Sequence, residues 1–395
     1  MSTREVVVVA GTRTAIAGYG GAFKDVAPTR LGAIAIQEAV RRAGIDPAIV
    51  GHVVMGSVIH GEARDMYLSR VAAIDAGLPV GTPCLTVNRL CGSGLQAIVS
   101  AAQHILLGDT DVVVGGGAES MSRAAYFLPA GRWGQRMGDG AVVDAMTGAL
   151  HDPFGHGHMG ITAENIAARY GITREAQDAY ALESHRRAAA AIAAGHFASQ
   201  IVPVLLKTKK GEVPFSTDEH VRPEAKIEDF QKLKAVFKKD GTVTAGNASG
   251  LNDAGAAIVM MEAGAAARAG ARPMARLVAY AHAGVEPQVM GLGPIPAVQR
   301  VFEKSGLKPA DMDVVESNEA FAVQAMAVTR DLGLDPARVN PNGGAVALGH
   351  PIGATGAVLT VKALYELERT QKRYALVTMC IGGGQGIAAI FERLG

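Results

Sequence analysis

Two cysteines stand beside glycine clusters, Cys91 in CGSG and Cys380 in CIGGG, and His350 lies between them in ALGHPIG. A thiolate can carry an acyl group as a thioester, an imidazole can take the thiol proton, and a second thiol can move a proton at carbon. Gly92 and Gly94 let backbone approach a bound acyl group. The apolar run from Leu95 predicts a helix whose N-terminus favours anionic sulfur and whose amides can face an oxyanion. Taken alone, CGSG equally describes an inert cysteine packed on glycine-rich backbone, and His350 a hydrogen-bonded turn residue. Cys380 needs a separate role as proton carrier, because two adjacent nucleophiles would not complete a proton cycle. A thiol with an ordinary pKa of ~8.5 can be tuned for exchange near neutrality. Asn318 in ESNEAFA can hold a water that donates, with His350, to a thioester carbonyl; it can equally cap the following helix.

Other chemistries find less support. There is no C-x2-C pair, and His156 and His158 have no matching carboxylate or cysteine motif, so no metal is expected. The glycine clusters lack the Lys and Ser/Thr of a P-loop, and no early GxGxxG follows the first strand. Lys and Arg number 38 against 37 Asp and Glu, which argues against a nucleic-acid-binding field and makes any anion site local. Lys207, Lys209, Lys210 and Arg222 offer such a site for phosphates, or form an ordinary solvated face. Three cysteines make no disulfide framework, and a reducing, cytoplasmic compartment would keep a thiol usable. The N-terminal residues lack the pattern of a signal peptide, and no uninterrupted run reaches ~20 apolar residues, so no membrane span is expected.

These groups need a scaffold. Val6–Ala10, His52–Met55, Leu85–Val87 and Val112–Val114 read as short buried strands, with helical spacing over Leu31–Ala43, Asp65–Ala76 and Gly94–Leu107. A similar series begins near Ala271: strands at Arg276–Ala281 and Asp313–Glu316, helices at Ala297–Ser305, Ala322–Leu332 and Ala357–Leu367, then a hairpin of Tyr374–Cys380 and Gly386–Glu392. CGSGLQAIVSAA followed by DVVVGGG parallels HPIGATGAVLTVKAL followed by YALVTMCIGGG, so a duplicated α/β unit with reactive groups from both halves is expected. Residues 122–247 break the pattern, with helices predicted at Thr162–Tyr170 and Arg174–Ala194, the second capped by Thr173.

NRLCGSG, GGGAESMS, TAGNASGLNDAGA, SNEAFA, NPNGGAVALGHPIGATG and CIGGGQG, in this order over nearly the whole chain, resemble the thiolase family, in its biosynthetic acetyl-CoA acetyltransferase and bacterial β-ketothiolase branch, and nearest to enzymes associated with polyhydroxyalkanoate synthesis. The resemblance implies two similar halves in a five-layered α-β-α-β-α core with a loop domain inserted in the first. The expected division is 1–121 and 248–270 for the first half, 122–247 for the insertion with coenzyme A and oligomer contacts, and 271–395 for the second half. It also implies Cys91 as nucleophile, His350 as its base, Cys380 as general acid/base, Asn318 as holder of an oxyanion water, and the amides of Cys91 and Gly382 as a second oxyanion site. Coenzyme A, a substrate rather than a resident cofactor, is expected against His158, Met159, Arg222, Ala245, Ser249, Leu251, Ala320 and Phe321, with Met290 near the acyl pocket and a homotetramer as the assembly.

One departure follows Arg222, where PEAKIEDF replaces the family's usual continuation. Asp229, near a position that often holds serine, would repel phosphate if it pointed inward. The competing readings are a decarboxylating ketoacyl synthase, which usually needs a His/His or His/Asn pair, and a noncatalytic acyl-CoA-binding module.

Overall fold

The computed structural model describes residues 4–395; the first three residues of the N-terminal segment lie outside the described residues. Nine strands form one path of hydrogen-bonded neighbours: β1 (Val6–Arg13), β2 (His52–Gly56), β3 (Cys84–Val87), β4 (Val112–Ser120), β5 (Asn252–Glu262), β6 (Ala275–Gly284), β7 (Val314–Ser317), β8 (Tyr374–Ile381) and β9 (Gln385–Arg393). Their order is β7-β8-β9-β6-β1-β5-β4-β2-β3, and Ala17–Gly18 adds a short tenth strand beside β5. On each side of the β6–β1 junction the sequence of pairings repeats: antiparallel, antiparallel, then parallel. The junction is thin, with Val7 and Val8 opposite Arg276 and Ala275.

This path folds around two central helices, α3 (Ser93–Leu107) and α9 (Thr355–Thr370), while α1 (Pro28–Ala43) and α2 (Leu68–Asp75) cover the first half-sheet outside and α7 (Pro294–Ser305) and α8 (Ala322–Asp331) cover the second. Five layers result. Strand alternation assigns the faces: in β8, Ala375, Val377, Met379 and Ile381 join the central core, whereas Leu376 packs outward beneath α7 and α8. The central helices touch through glycine. A Cβ on Gly94 would lie 2.7 Å from the Ala357 nitrogen, and one on Gly356 would lie 2.2 Å from the Leu95 nitrogen, so neither position admits a side chain. The stretch Leu90–Leu107 is apolar enough on average to pass by length and composition as a membrane span, but it is interrupted by Gln96, Ser100, Gln103 and His104 and most of it is buried in the protein.

β5 escapes sequence periodicity altogether. Its NDAGAAIVMME is alanine- and glycine-rich because helices press on both faces; a Cβ on Gly255 would come within 2.6 Å of the Leu31 carbonyl oxygen. Through β5, the chain after the insertion returns to pair with β1 and β4.

Within residues 122–247 lie α4 (Ala145–Ala149), α5 (Met159–Tyr170), α6 (Arg174–Ala193), the hairpin Val204–Thr208/Gly211–Phe215 and the short helix Ile227–Gln231. Thr173 caps α6 by accepting from the Ala176 amide. A buried clamp ties this segment to β1. Arg13 donates two hydrogen bonds to Asp218, at 2.8 and 2.9 Å, and a third to Gln200. Removing one partner of such a pair leaves a buried charge and costs about 3–5 kcal/mol.

Candidate active site

Cys91 stands on a strained turn between β3 and α3. Leu90 holds φ 44°, the left-handed region that a branched side chain rarely enters. The turn is held from within: Asn88 accepts from the Leu90 amide at 2.9 Å, and the Ser93 hydroxyl accepts from the Arg89 amide while donating to the Leu90 carbonyl. The half-buried thiol is thereby presented at the start of α3.

The turn abuts the glycine hairpin that follows Cys380. A Cβ on Gly92 would lie 2.5 Å from Ile381 Cδ1, and one on Gly382 would lie 3.2 Å from Leu90 Cδ1. In that hairpin Gly383 and Gly384 take φ of 80° and 86°, and a Cβ on Gly384 would strike the Val285 carbonyl at 2.3 Å. The amides of Gly382 and Cys91 itself both approach the Cys91 sulfur and favour its anion. Burial nevertheless dominates, and with the nearby Glu119 carboxyl it holds the Cys91 thiol above its ordinary range. The amides act in the expected direction, and the shift that burial leaves is consistent with the need for a base to take the proton.

His350 presents an unprotonated ring nitrogen. Thr355 donates its single hydroxyl proton to the Pro351 carbonyl at 2.9 Å, so its oxygen can only accept from His350 Nδ1 at 2.7 Å. The ring proton therefore sits on Nδ1 and Nε2 keeps a free lone pair. Burial lowers the His350 pKa to about 4, leaving the ring neutral at pH 7. Asn252 accepts from the His350 amide at 2.9 Å and donates to the Ala17 carbonyl, which seats the loop.

Asn318 Nδ2 approaches His350 Nε2 at 3.5 Å, and the buried Oδ1 has no protein partner. The alternative role as a helix cap is not realised: α8 starts after Phe321, and its N-cap makes no side-chain hydrogen bond. Cys380 is fully buried at the end of β8 among Met159, Met290, Ala320 and Phe321. Burial and the neighbouring Cys91 sulfur push its thiol well up, so the expected tuning toward neutrality is absent: no cation or charged donor faces it to oppose desolvation.

A cavity of about 460 Å³ opens onto these groups. Cys91, His350 and Gly382 line it together with His158, Met159, Arg222, Ala245, Ser249, Leu251, Ala320 and Phe321, the residues expected for coenzyme A, and with Met290, expected near the acyl pocket. Cys380 and Asn318 lie in the protein behind this lining. His158 Nδ1 accepts from the Gly160 amide at the start of α5, and its ring stacks on Phe237. Among the described residues no group of three or more His, Cys, Asp or Glu is placed to hold a metal ion.

A neighbouring cavity of about 300 Å³ shares His220, Arg222 and Ala245 with the first and adds Asp229. Asp229 is spent locally, accepting from the Lys226 amide and pairing with Lys232 at 3.6 Å, which offsets its charge. Lys207, Lys209 and Lys210 sit exposed on the 204–215 hairpin and line neither cavity, so the phosphate-attracting cluster reduces to Arg222.

Sequence reasoning missed the residues that orient the site. Thr355 and Asn252 were read only as parts of glycine-rich motifs, and Phe237 was not singled out. Glu119, inside GGGAES, is fully buried and accepts from the amides of Val58, Ile59 and Gly353. A buried acid close to a nucleophile has no periodic signature.

Comparison with known proteins gives a consistent result. The thiolase N-terminal domain matches residues 6–264 and the thiolase C-terminal domain residues 271–393. The chain is 67% identical to Beta-ketothiolase BktB of Cupriavidus necator over 99% of its length and 100% of that protein's. It is 49% identical to an acetyl-CoA acetyltransferase of Syntrophomonas wolfei over 99% of its length and all of that protein's. The solved structure of human mitochondrial 3-ketoacyl-CoA thiolase in complex with CoA superposes with a TM-score of 0.97 at 43% identity, covering 100% of this chain and 99% of that one.

Proposed function

The chain belongs to the thiolase family, and from that premise we propose that Cys91 carries the acyl group and Cys380 moves the proton at carbon. The activity itself is that of an acetyl-CoA C-acyltransferase: reversible Claisen condensation of an acyl-CoA with acetyl-CoA to a 3-ketoacyl-CoA, and thiolysis in reverse. A malonyl-decarboxylating synthase and a noncatalytic binding module give way to that assignment.

The roles follow from the geometry. His350 Nε2 takes the Cys91 proton as the sulfur attacks a thioester, since both groups rest neutral. The departing coenzyme A thiolate takes the Cys380 thiol proton and leaves as the free thiol, so that acyl-Cys91, protonated His350 and the Cys380 thiolate remain. The amides of Cys91 and Gly382 are the donors for the carbonyl oxygen on this sulfur. Cys380 then takes a proton from the methyl carbon of bound acetyl-CoA, while His350 and a water held by Asn318 stabilise the enolate oxygen. That carbon attacks acyl-Cys91, the C–C bond forms, and the thiolate is released to be reprotonated by His350. A raised thiol pKa suits Cys380 to this work, because a strongly basic thiolate is better matched to a weak carbon acid.

The larger cavity takes the pantetheine arm, with His158, Ser249 and Phe321 along it, and the smaller one takes the nucleotide beside Arg222. Residues 122–247 serve as coenzyme-binding and oligomer-contact insertion, 1–121 with 248–270 as the first catalytic half, and 271–395 as the second. Exposed Trp133, Met137 and Phe127 on the insertion fit burial in a homotetramer. Three free cysteines fit a reducing cytoplasm, and likeness to a β-ketothiolase fits supply of 3-ketoacyl-CoA for polyhydroxyalkanoate synthesis or wider fatty-acid metabolism.

The observation that carries the reading is the contact of the Cys91 turn with the Cys380 hairpin around one cavity. Intact-protein mass measurement after brief exposure to acetyl-CoA tests it. Wild-type protein gains one acetyl group on the peptide containing Cys91, and Cys91→Ser does not within the same interval. Acetylation of Cys91→Ser at the wild-type rate contradicts the assignment.

A further inference from the structure

The two sulfurs are backed by different kinds of apolar wall. Cys380 packs into a tight cluster with Met159, Met290 and Phe321, each at most 7% exposed. Cys91 faces another cluster, built on Met121 and Ile352, with Met146 half-buried at its edge. Met121, Met146 and Ile352 all line the cavity beside Cys91.

The chemistry asks different things of these walls. The unit activated at Cys380 is always a two-carbon acetyl group, whereas the acyl chain on Cys91 is the one whose length varies between substrates. A rigid wall suits the first and an adaptable one the second. Two members of the Cys91 wall are fixed: the Met121 sulfur accepts from the Asn252 amide at 3.4 Å, and Ile352 is 2% exposed beside Gly353, whose amide is held by Glu119. Met146 is held differently. It rides on α4, a single turn capped by Asp144, with Val143 and Thr147 exposed on either side. An unbranched thioether with three rotatable bonds can yield space there without opening the core.

Building on the acyl-Cys91 reading, we propose that the acyl chain lies against Met121, Met146 and Ile352, and that Met146 is the residue that sets the accepted chain length. The test is thiolysis of acetoacetyl-, 3-ketovaleryl- and 3-ketohexanoyl-CoA by wild type, Met146→Ala, Met146→Phe and Met290→Ala. One methylene in an apolar pocket changes discrimination by roughly tenfold or more. The ratio of kcat/KM for the six-carbon over the four-carbon substrate should therefore rise about tenfold in Met146→Ala and fall about tenfold in Met146→Phe. A loss of folding would lower all three substrates together, while the opposed directions of the two ratios would not arise from it. Equal factors on all substrates in both Met146 variants, or a ratio shifted by Met290→Ala alone, overturns the proposal while the acyl-Cys91 reading stands. Wild-type protein that cleaves none of the three overturns both.

Discussion

Glu119 and Cys380 end equivalent strands of the two halves, β4 and β8, and both are buried acids near the Cys91 sulfur. Their surroundings differ in one respect. Glu119 spends its oxygens on three backbone amides from the loop after β2 and the loop before α9. Cys380 packs among Met159, Met290, Ala320 and Phe321 with the Cys91 sulfur nearby, and no side chain donates a hydrogen bond to it. A buried acid with its hydrogen-bonding capacity consumed fastens loops; one left unspent is available to a substrate. The same positional pairing holds for Cys91 and His350, which precede the two central helices α3 and α9. Under the proposed roles, two copies of one scaffold thus deliver a nucleophile and a base to one end of the middle layer, and a staple and a proton carrier beside them.

The largest effect expected from this contrast falls on Cys380. Cys380→Ser should lower condensation of acetyl-CoA by about 10²–10⁴-fold, the usual worth of a positioned acid or base, while acetylation of Cys91 stays measurable. Parallel loss of both steps would erase the distinction between the sulfurs.

Glu119→Gln should act on stability. Its carboxamide must turn an NH2 toward at least one of the three amides, at a cost of about 1–3 kcal/mol, read in denaturant unfolding. The pH dependence sharpens the point. Burial lifts the Glu119 pKa to about 8 from an ordinary 4.5, against the three amides that lower it. Between these values the folded chain holds a proton that the unfolded chain releases, so this contribution is full below pH 4.5 and is lost as pH rises through 8. The variant should show a shallower fall in melting temperature from pH 6 to 9. An unchanged slope would mean that Glu119 is ionised throughout.

His350 should give the smallest signal. With its pKa near 4, the acid limb of Cys91 acetylation should lie well below the ordinary imidazole value of 6.5. A limb at 6.5 would mean that the ring is solvated in the working enzyme. For stability the sign is opposite to that of Glu119: the unfolded chain binds the proton first, so stability is lost as pH falls from 6.5 toward 4.

Much of this was legible in the chain. Cys91, His350 and Cys380 stand out because reactive side chains among glycines are chemically specific, and β1, β4, α3 and α9 follow from apolar runs and helical spacing. β5 was illegible because alanine and glycine carry no period, although crowding by α1 requires those residues. Thr355, Asn252 and Glu119 were illegible for another reason: each acts through one hydrogen bond or a few that exist only once distant loops meet. Lys207, Lys209 and Lys210 misled because charge is visible in sequence and its position relative to a cavity is not.

The division of labour between the two sulfurs is tested most directly by incubating wild type and Cys380→Ser with acetyl-CoA in D2O. One mass measurement reads both acetyl on the Cys91 peptide and deuterium in the acetyl methyl group. Wild type should show both, and Cys380→Ser should show the acetyl with methyl exchange reduced at least 100-fold. Methyl exchange at the wild-type rate in Cys380→Ser would contradict the account.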